Sequence, residues 1–161
     1  LRGKDDEIYA QAAYAEHYAP VHEVGFITND KWGFTLGYSP DGLVGDDGLI
    51  EAKGRRQKFQ VETILAGVMP DDYLMQVQTG LLVSERKWLD FISYCGGMHM
   101  YTLRVYPDPM VQAAIVEAAR VFHERMDMEM AKYNDILADK ANRLIPTERR
   151  IQQEMFIGEA A

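Results

Sequence analysis

At 161 residues the chain has the length of one ordinary domain, long enough to bury a core and too short for two. Its 47% hydrophobic and 26% charged residues form a globular balance, with no apolar run near the roughly 20 residues of a membrane span. A net charge of -8 argues against wrapping nucleic acid by overall basicity, and a single cysteine, Cys95, excludes an internal disulfide and a thiolate zinc cluster, favouring a reducing, cytoplasmic setting.

Residues 4–18 set Ile8, Ala12, Tyr14 and Ala15 among charges, with acidic residues in the first turn, which predicts a helix. The sequence opens without methionine inside this pattern, so an N-terminal segment is expected to be missing. Residues 21–29 and 33–38 are short β-branched and aromatic runs broken by Asn29-Asp30 and glycine, and predict a hairpin. A second hairpin has Leu43 and Val44 on one side of "GDDG" and Leu49 and Ile50 on the other.

After the basic run "KGRRQK" at 53–58, residues 59–67 predict a short helix stopped by Gly67 and Pro70. Residues 71–83 predict another, capped by Asp71, with Leu74, Val77 and Leu81 as its apolar face. Residues 87–95 and 99–106 alternate as a third strand pair joined through Gly96 and Gly97. Asp108 as a cap and Pro109 at the first helical position open a long helix to about Lys140. Residues 141–161 read as a C-terminal arm or tail. This order predicts a single domain over 1–161, a sheet flanked by helices in the α/β or α+β class.

The segment "GYSPDGLVGDDGLIEAKGRRQ", residues 37–57, concentrates the charges. On an extended strand Glu51 and Lys53 share one face while Ile50 and Ala52 face the core. A two-residue turn at Asp46-Asp47 pairs Asp41 with Ala52 and sends it to the other side. A three-residue loop, Asp46-Asp47-Gly48, sets Asp41 opposite Lys53, and all three side chains converge. Two carboxylates beside an ammonium would hold Mg²⁺, or Mn²⁺ as a substitute, and take phosphate oxygens into the ion's shell. The lysine would orient or deprotonate the attacking water. The plainer account is a solvated hairpin whose Glu51–Lys53 contact is worth about 0.2–1 kcal/mol. The order of the features favours the site: an aromatic strand into Pro40-Asp41, a hairpin, Glu51-x-Lys53, then a helix. Arg55, Arg56 and Lys58 beside it suit phosphate contact.

"SPDGLV", "GLIEAKG" and "YLMQVQTGLLV", arriving in that order, resemble the PD-(D/E)xK nuclease superfamily, and within it the lambda exonuclease-like, or YqaJ-type, viral recombinases. The resemblance covers most of residues 1–106. It implies a restriction-endonuclease-like core with a central mixed sheet. It implies Asp41 and Glu51 as ligands of Mg²⁺, the main-chain carbonyl of Ala52 as a further ligand, Lys53 as the catalytic lysine, Gln76 lining the site and Tyr73 beside it. The opening "RGKDDE" resembles the family's "RGK" stretch and implies Glu7 as another metal-approaching carboxylate, with Asp5 and Asp6 as near neighbours. The activity implied is a 5′-to-3′ exonuclease on double-stranded DNA ends in phage or prophage recombination. The partners implied are a ring-shaped homotrimer and a single-strand annealing protein. Two alternatives are another endonuclease or RecB-like nuclease of the superfamily and a DNA-binding module without turnover. His17, His22, His99 and His123 lack metal-ligand spacing. Cys95 reads as a buried structural residue, the methionines at 126, 128 and 130 as helix padding, and Ser39 lacks a nucleophile setting.

Overall fold

A computed structural model describes residues 2–148 of the chain, so the arm expected over 141–161 lies outside the described residues from 149 onward. The chain divides into two compact units, Leu1–His123 and Glu124–Ala161. The first opens with α1 (Arg2–His17), followed by β1 (Ile27–Asn29), β2 (Leu36–Tyr38), β3 (Gly42–Val44) and β4 (Gly48–Gly54). Then come α2 (Gln57–Ala66), a 3-10 turn (Asp71–Tyr73), α3 (Leu74–Ser84), β5 (Trp88–Tyr94), β6 (Tyr101–Val105) and the long α4 (Pro109–Ala138), which continues into the second unit. In that second unit the end of α4 is followed by a turn in which Asp139 accepts from the Ala141 N–H at 2.9 Å, and Asn142 donates to the Ile136 carbonyl at 2.9 Å.

The main sheet has the order β3-β4-β5-β6. Its outer pairs are antiparallel and β4–β5 is parallel, from Gly48 against Trp88 to Gly54 against Tyr94. A parallel pair needs a long crossover, which α2, the 3-10 turn and α3 supply. β4 is buried on both faces, as a central strand under helices should be. On one face Leu49, Leu89 and Phe91 pack with Val77 and Leu81 of α3 and with Tyr38. On the other, Ile50, Ala52 and Ile92 pack with Ala10 and Tyr14 of α1. This is the mixed sheet between helices that the order of elements predicts.

Three local expectations need correction. The strands over 21–29 and 33–38 shrink to three residues each, because side chains from His22 to Phe26 are exposed and no buried face holds that run in a ladder. Only His22 bridges to Leu43, with N–H to carbonyl distances of 2.9 and 2.8 Å. Asp71 makes no capping bond, since Pro70-Asp71-Asp72 tightens into the 3-10 turn and α3 starts at Leu74. Asp108 does cap α4, accepting from Met110 and Val111 N–H at 2.9 and 3.2 Å.

The third correction sets the site. The β3–β4 loop has three residues, but they are Gly45-Asp46-Asp47, with Gly45 in the left-handed region at φ 53°. Val44 pairs with Gly48 and Gly42 with Ile50, so Asp41 falls level with Glu51 rather than Lys53. Arg86 fastens this loop by donating to the Gly45 and Gly48 carbonyls at 2.8 and 2.9 Å. The shift is an even step, so Asp41 stays on the side of Glu51 and Lys53.

Candidate active site

β4 brings Glu51 and Lys53 to one face, and Glu51 is 2% exposed. A carboxylate so buried needs donors on its lone pairs. Glu51 Oε1 accepts from Lys53 Nζ and from Gln76 Nε2 of α3, both at 2.6 Å. Its Oε2 accepts from the hydroxyl of Tyr38, at the end of β2. Burial first, and then the Glu51 charge, push the Tyr38 phenol well above its ordinary value, so it remains an O–H donor.

Asp41 lies at the bend before β3, and its Oδ2 accepts from the Ala52 N–H at 2.6 Å. That bond pins the carboxylate to β4 between Glu51 and Lys53. Gln11 of α1 donates to the Asp41 carbonyl at 2.8 Å and lies 3.4 Å from Glu7 Oε1, so Glu7 also comes to this corner. Glu7, Gln11, Glu23, Ser39, Pro40 and Asp41 line a cavity of about 250 Å³. The Asp41 carboxyl is raised from 3.8 to about 7, chiefly by burial and next by the Glu51 charge, with Glu7 adding to the rise and the Ala52 N–H and Lys53 opposing it.

The donor chemistry fits a hard divalent cation. Two carboxylates crowd together beside one lysine, and burial first and the Glu51 charge next raise Asp41, so a cation from outside would relieve both. Among the described residues no three His, Cys, Asp or Glu side chains form a complete ligand set. Mg²⁺ does not require one, because it binds through one or two carboxylates and keeps water or phosphate in its other positions.

The basic run divides three ways. Arg55 is held: its Nη1 donates to the Tyr73 hydroxyl at 2.6 Å, and its guanidinium lies 5.3 Å from the Tyr73 ring and 5.4 Å from that of Phe59. Its Nε is buried without a partner. Arg56 is exposed at the start of α2, and Lys58 is exposed with a loose 3.8 Å pair to Glu62. Lys53 Nζ lies 5.6 Å from the Tyr73 ring, and that ring packs 5.1 Å from Phe91. Asp41, Glu51, Ala52, Lys53, Gln76, Tyr73, Arg55 and Glu7 are thus brought to one region, while Arg56 and Lys58 lie beyond it on α2.

Sequence reasoning missed Tyr38 and Gln11. Gln11 follows Glu7 by one helical turn, a spacing that puts both on one face and could have revealed it. Missed too was a second buried acid, Asp90 of β5, which accepts from Tyr14 at 2.6 Å and from Arg104 Nε and Nη2 at 2.8 Å each. Arg104 also lies 3.7 Å over the Trp88 ring. These bonds tie α1, which carries Glu7 and Gln11, to the sheet.

A mixed sheet with an aspartate, a Glu-x-Lys strand and a helix-borne glutamine on one face defines a protein with a restriction-endonuclease-like α/β core. The model of the YqaJ-like viral recombinase domain matches residues 1–87, and the chain belongs to that family. Among solved structures it is similar to an alkaline exonuclease, LHK-Exo, from Laribacter hongkongensis, at 34% identity and TM-score 0.74 over 85% of this chain and 74% of that one. The same protein in complex with dAMP gives TM-score 0.73 at 34% identity, with the same coverage. The structure of SSO0001, 12% identical at TM-score 0.54 over 74% of this chain and 56% of that one, shares the fold alone. No curated protein matches the chain.

Proposed function

We propose that the chain is a Mg²⁺-dependent deoxyribonuclease that removes nucleotides from double-stranded DNA ends, working from 5′ to 3′. The observation that carries this reading is the pinning of Asp41 to the Ala52 N–H beside a buried Glu51 that is bonded to Lys53 and Gln76. A further support is the similarity to an alkaline exonuclease that also binds dAMP, a nucleoside monophosphate of the kind such an enzyme would release.

Asp41 and Glu51 would hold the ion, with the Ala52 carbonyl and Glu7 as further oxygen donors. When bound, the ion supplies an acidified water and offsets charge on the phosphate. The other work belongs to the chain. Lys53 orients the attacking water and takes up negative charge in the transition state. Gln76 keeps Glu51 from turning out of the site. Tyr73 backs Lys53 and Arg55 with its ring. Arg55, Arg56 and Lys58 hold strand phosphates. The same reading carries the family's expectations of a homotrimer ring, a single-strand annealing partner and action in the host cytoplasm.

The test uses linear duplex labelled at one 5′ end, an unlabelled covalently closed circle, and Mg²⁺. Early release of labelled mononucleotide with the circle intact is expected. Cutting of the circle would make the chain an endonuclease, and binding without any cleavage would make it a DNA-binding module.

A further inference from the structure

The two oxygens of Glu51 are served differently. Oε1 takes Lys53 and Gln76, the two groups assigned above to the reaction. Oε2 takes the hydroxyl of Tyr38, which belongs to the separate two-stranded hairpin and not to the four-stranded sheet. Among the contacts that hold the hairpin over α3, two bear on Tyr38. Asn29 donates to the Val83 carbonyl at 3.1 Å. The Tyr38 ring lies on Gly80, where a Cβ would stand 2.6 Å from Cε1 and Cζ, so the ring can sit there only because α3 offers no side chain. Tyr38 is 6% exposed, and its one hydroxyl hydrogen is spent on Glu51.

We propose that Tyr38, seated on Gly80, is the positioning residue that fixes the Glu51 carboxylate for the divalent ion: with Oε2 tied to its hydroxyl and Oε1 to Lys53 and Gln76, the orientation of the carboxylate is set. The proposal rests on the reading of Glu51 as an ion ligand. A free carboxylate rotates and can present either oxygen or both. With Oε2 tied to a ring wedged between hairpin and helix, that freedom is gone before the ion arrives. Partners of this kind orient a ligand, and their loss costs roughly 10–100-fold in metal affinity.

Tyr38→Phe keeps the ring on Gly80 and removes only the donor. Mg²⁺ titrated calorimetrically into the full chain should bind this variant about tenfold or more weakly than wild type. The Mg²⁺ concentration for half-maximal hydrolysis should rise by the same factor, with the rate largely recovered at saturating Mg²⁺ and an unchanged near-UV circular dichroism spectrum. Gly80→Ala, which keeps the hydroxyl but displaces the ring, should weaken Mg²⁺ binding too. Wild-type Mg²⁺ affinity in folded Tyr38→Phe would overturn the proposal. If that variant does not fold, Gly80→Ala decides the matter by the same measure. Glu51→Gln, run alongside, separates the two readings. Loss of Mg²⁺ binding there with none in Tyr38→Phe rejects the role of Tyr38 alone, whereas wild-type binding by Glu51→Gln rejects the ion-ligand reading and this proposal with it.

Discussion

Glu51 on β4 and Asp90 on β5 are buried carboxylates on neighbouring strands, and each accepts a hydrogen bond from a tyrosine. They differ in how their charge is met. Asp90 has a guanidinium to itself, bonded through two nitrogens, and Tyr14 completes its shell. Glu51 has one lysine, which also faces Asp41, whose carboxyl rises to about 7 chiefly through burial and next through the Glu51 charge. A buried acid with matched charge is a structural fastening. A buried acid crowded by a second one has room for a cation from outside, and that difference sets the proposed site apart from the Asp90 fastening.

The largest effects are expected at Asp41 and Glu51. Asp41→Ala and Glu51→Ala should each lower hydrolysis by at least about 10³-fold and remove calorimetric Mg²⁺ binding, with circular dichroism unchanged. Lys53→Ala should lose turnover while keeping Mg²⁺ and DNA affinity, and Lys53→Arg should not restore it, since a guanidinium does not deprotonate near neutral pH. Near wild-type activity in either carboxylate variant would remove the contrast between the two acids.

On the structural side, Arg104→Ala should cost about 1–3 kcal/mol in chemical unfolding, less than the 3–5 kcal/mol of a fully buried pair, because its side chain is 45% exposed. Metal affinity should not change. Tyr14→Phe should cost about 1 kcal/mol through one lost hydrogen bond.

Stability also depends on pH through Asp41. In metal-free protein Asp41 titrates near 7 when folded against 3.8 ordinarily, so the folded chain keeps a proton that the unfolded chain has released. Its contribution to stability is full below about 3.8 and is lost as pH rises through about 7. Asp41→Asn lacks this loss, so melting curves should show it gaining on wild type as pH rises across that interval. A parallel pH dependence for the two proteins would mean that the Asp41 carboxyl is not raised.

The smallest effect belongs to the basic run. Alanine at Arg55 and Arg56 should flatten the salt dependence of duplex binding by roughly one unit of slope per phosphate contact. Only Arg55→Ala should also alter turnover, because Arg55 alone of the two is bonded to Tyr73.

Strand alternation made Asp41, Glu51 and Lys53 legible, because side-chain parity survives an even change of register. The register itself was not, since "GDDG" has a glycine at either end and Arg86, distant in sequence, is bonded to the loop that forms. The start of α3 is not legible because Asp71 looks like a cap while the preceding proline favours a tighter turn. The Tyr14–Asp90–Arg104 group could not be read locally: its members lie on three elements, and Asp90 occupied an alternating strand without a visible partner. In the sequence Tyr38 is an aromatic strand residue, and nothing local says that its hydroxyl reaches a neighbouring sheet.

The parallel pairing of β4 with β5 has a consequence for the order in which the molecule is made. Asp41 and Glu51 are neighbours across a three-residue loop, so the local contacts that shape the hairpin also bring the two acids together. Gln76 and the face of α3 that carries Gly80 arrive with the crossover, which must close a long stretch of chain before Gly48 meets Trp88. The hairpin carries Lys53 and the Ala52 N–H along with its two acids, while Gln76 joins them only when the crossover closes. The proposed ion site is therefore complete only once the parallel pair has formed, however early its hairpin forms.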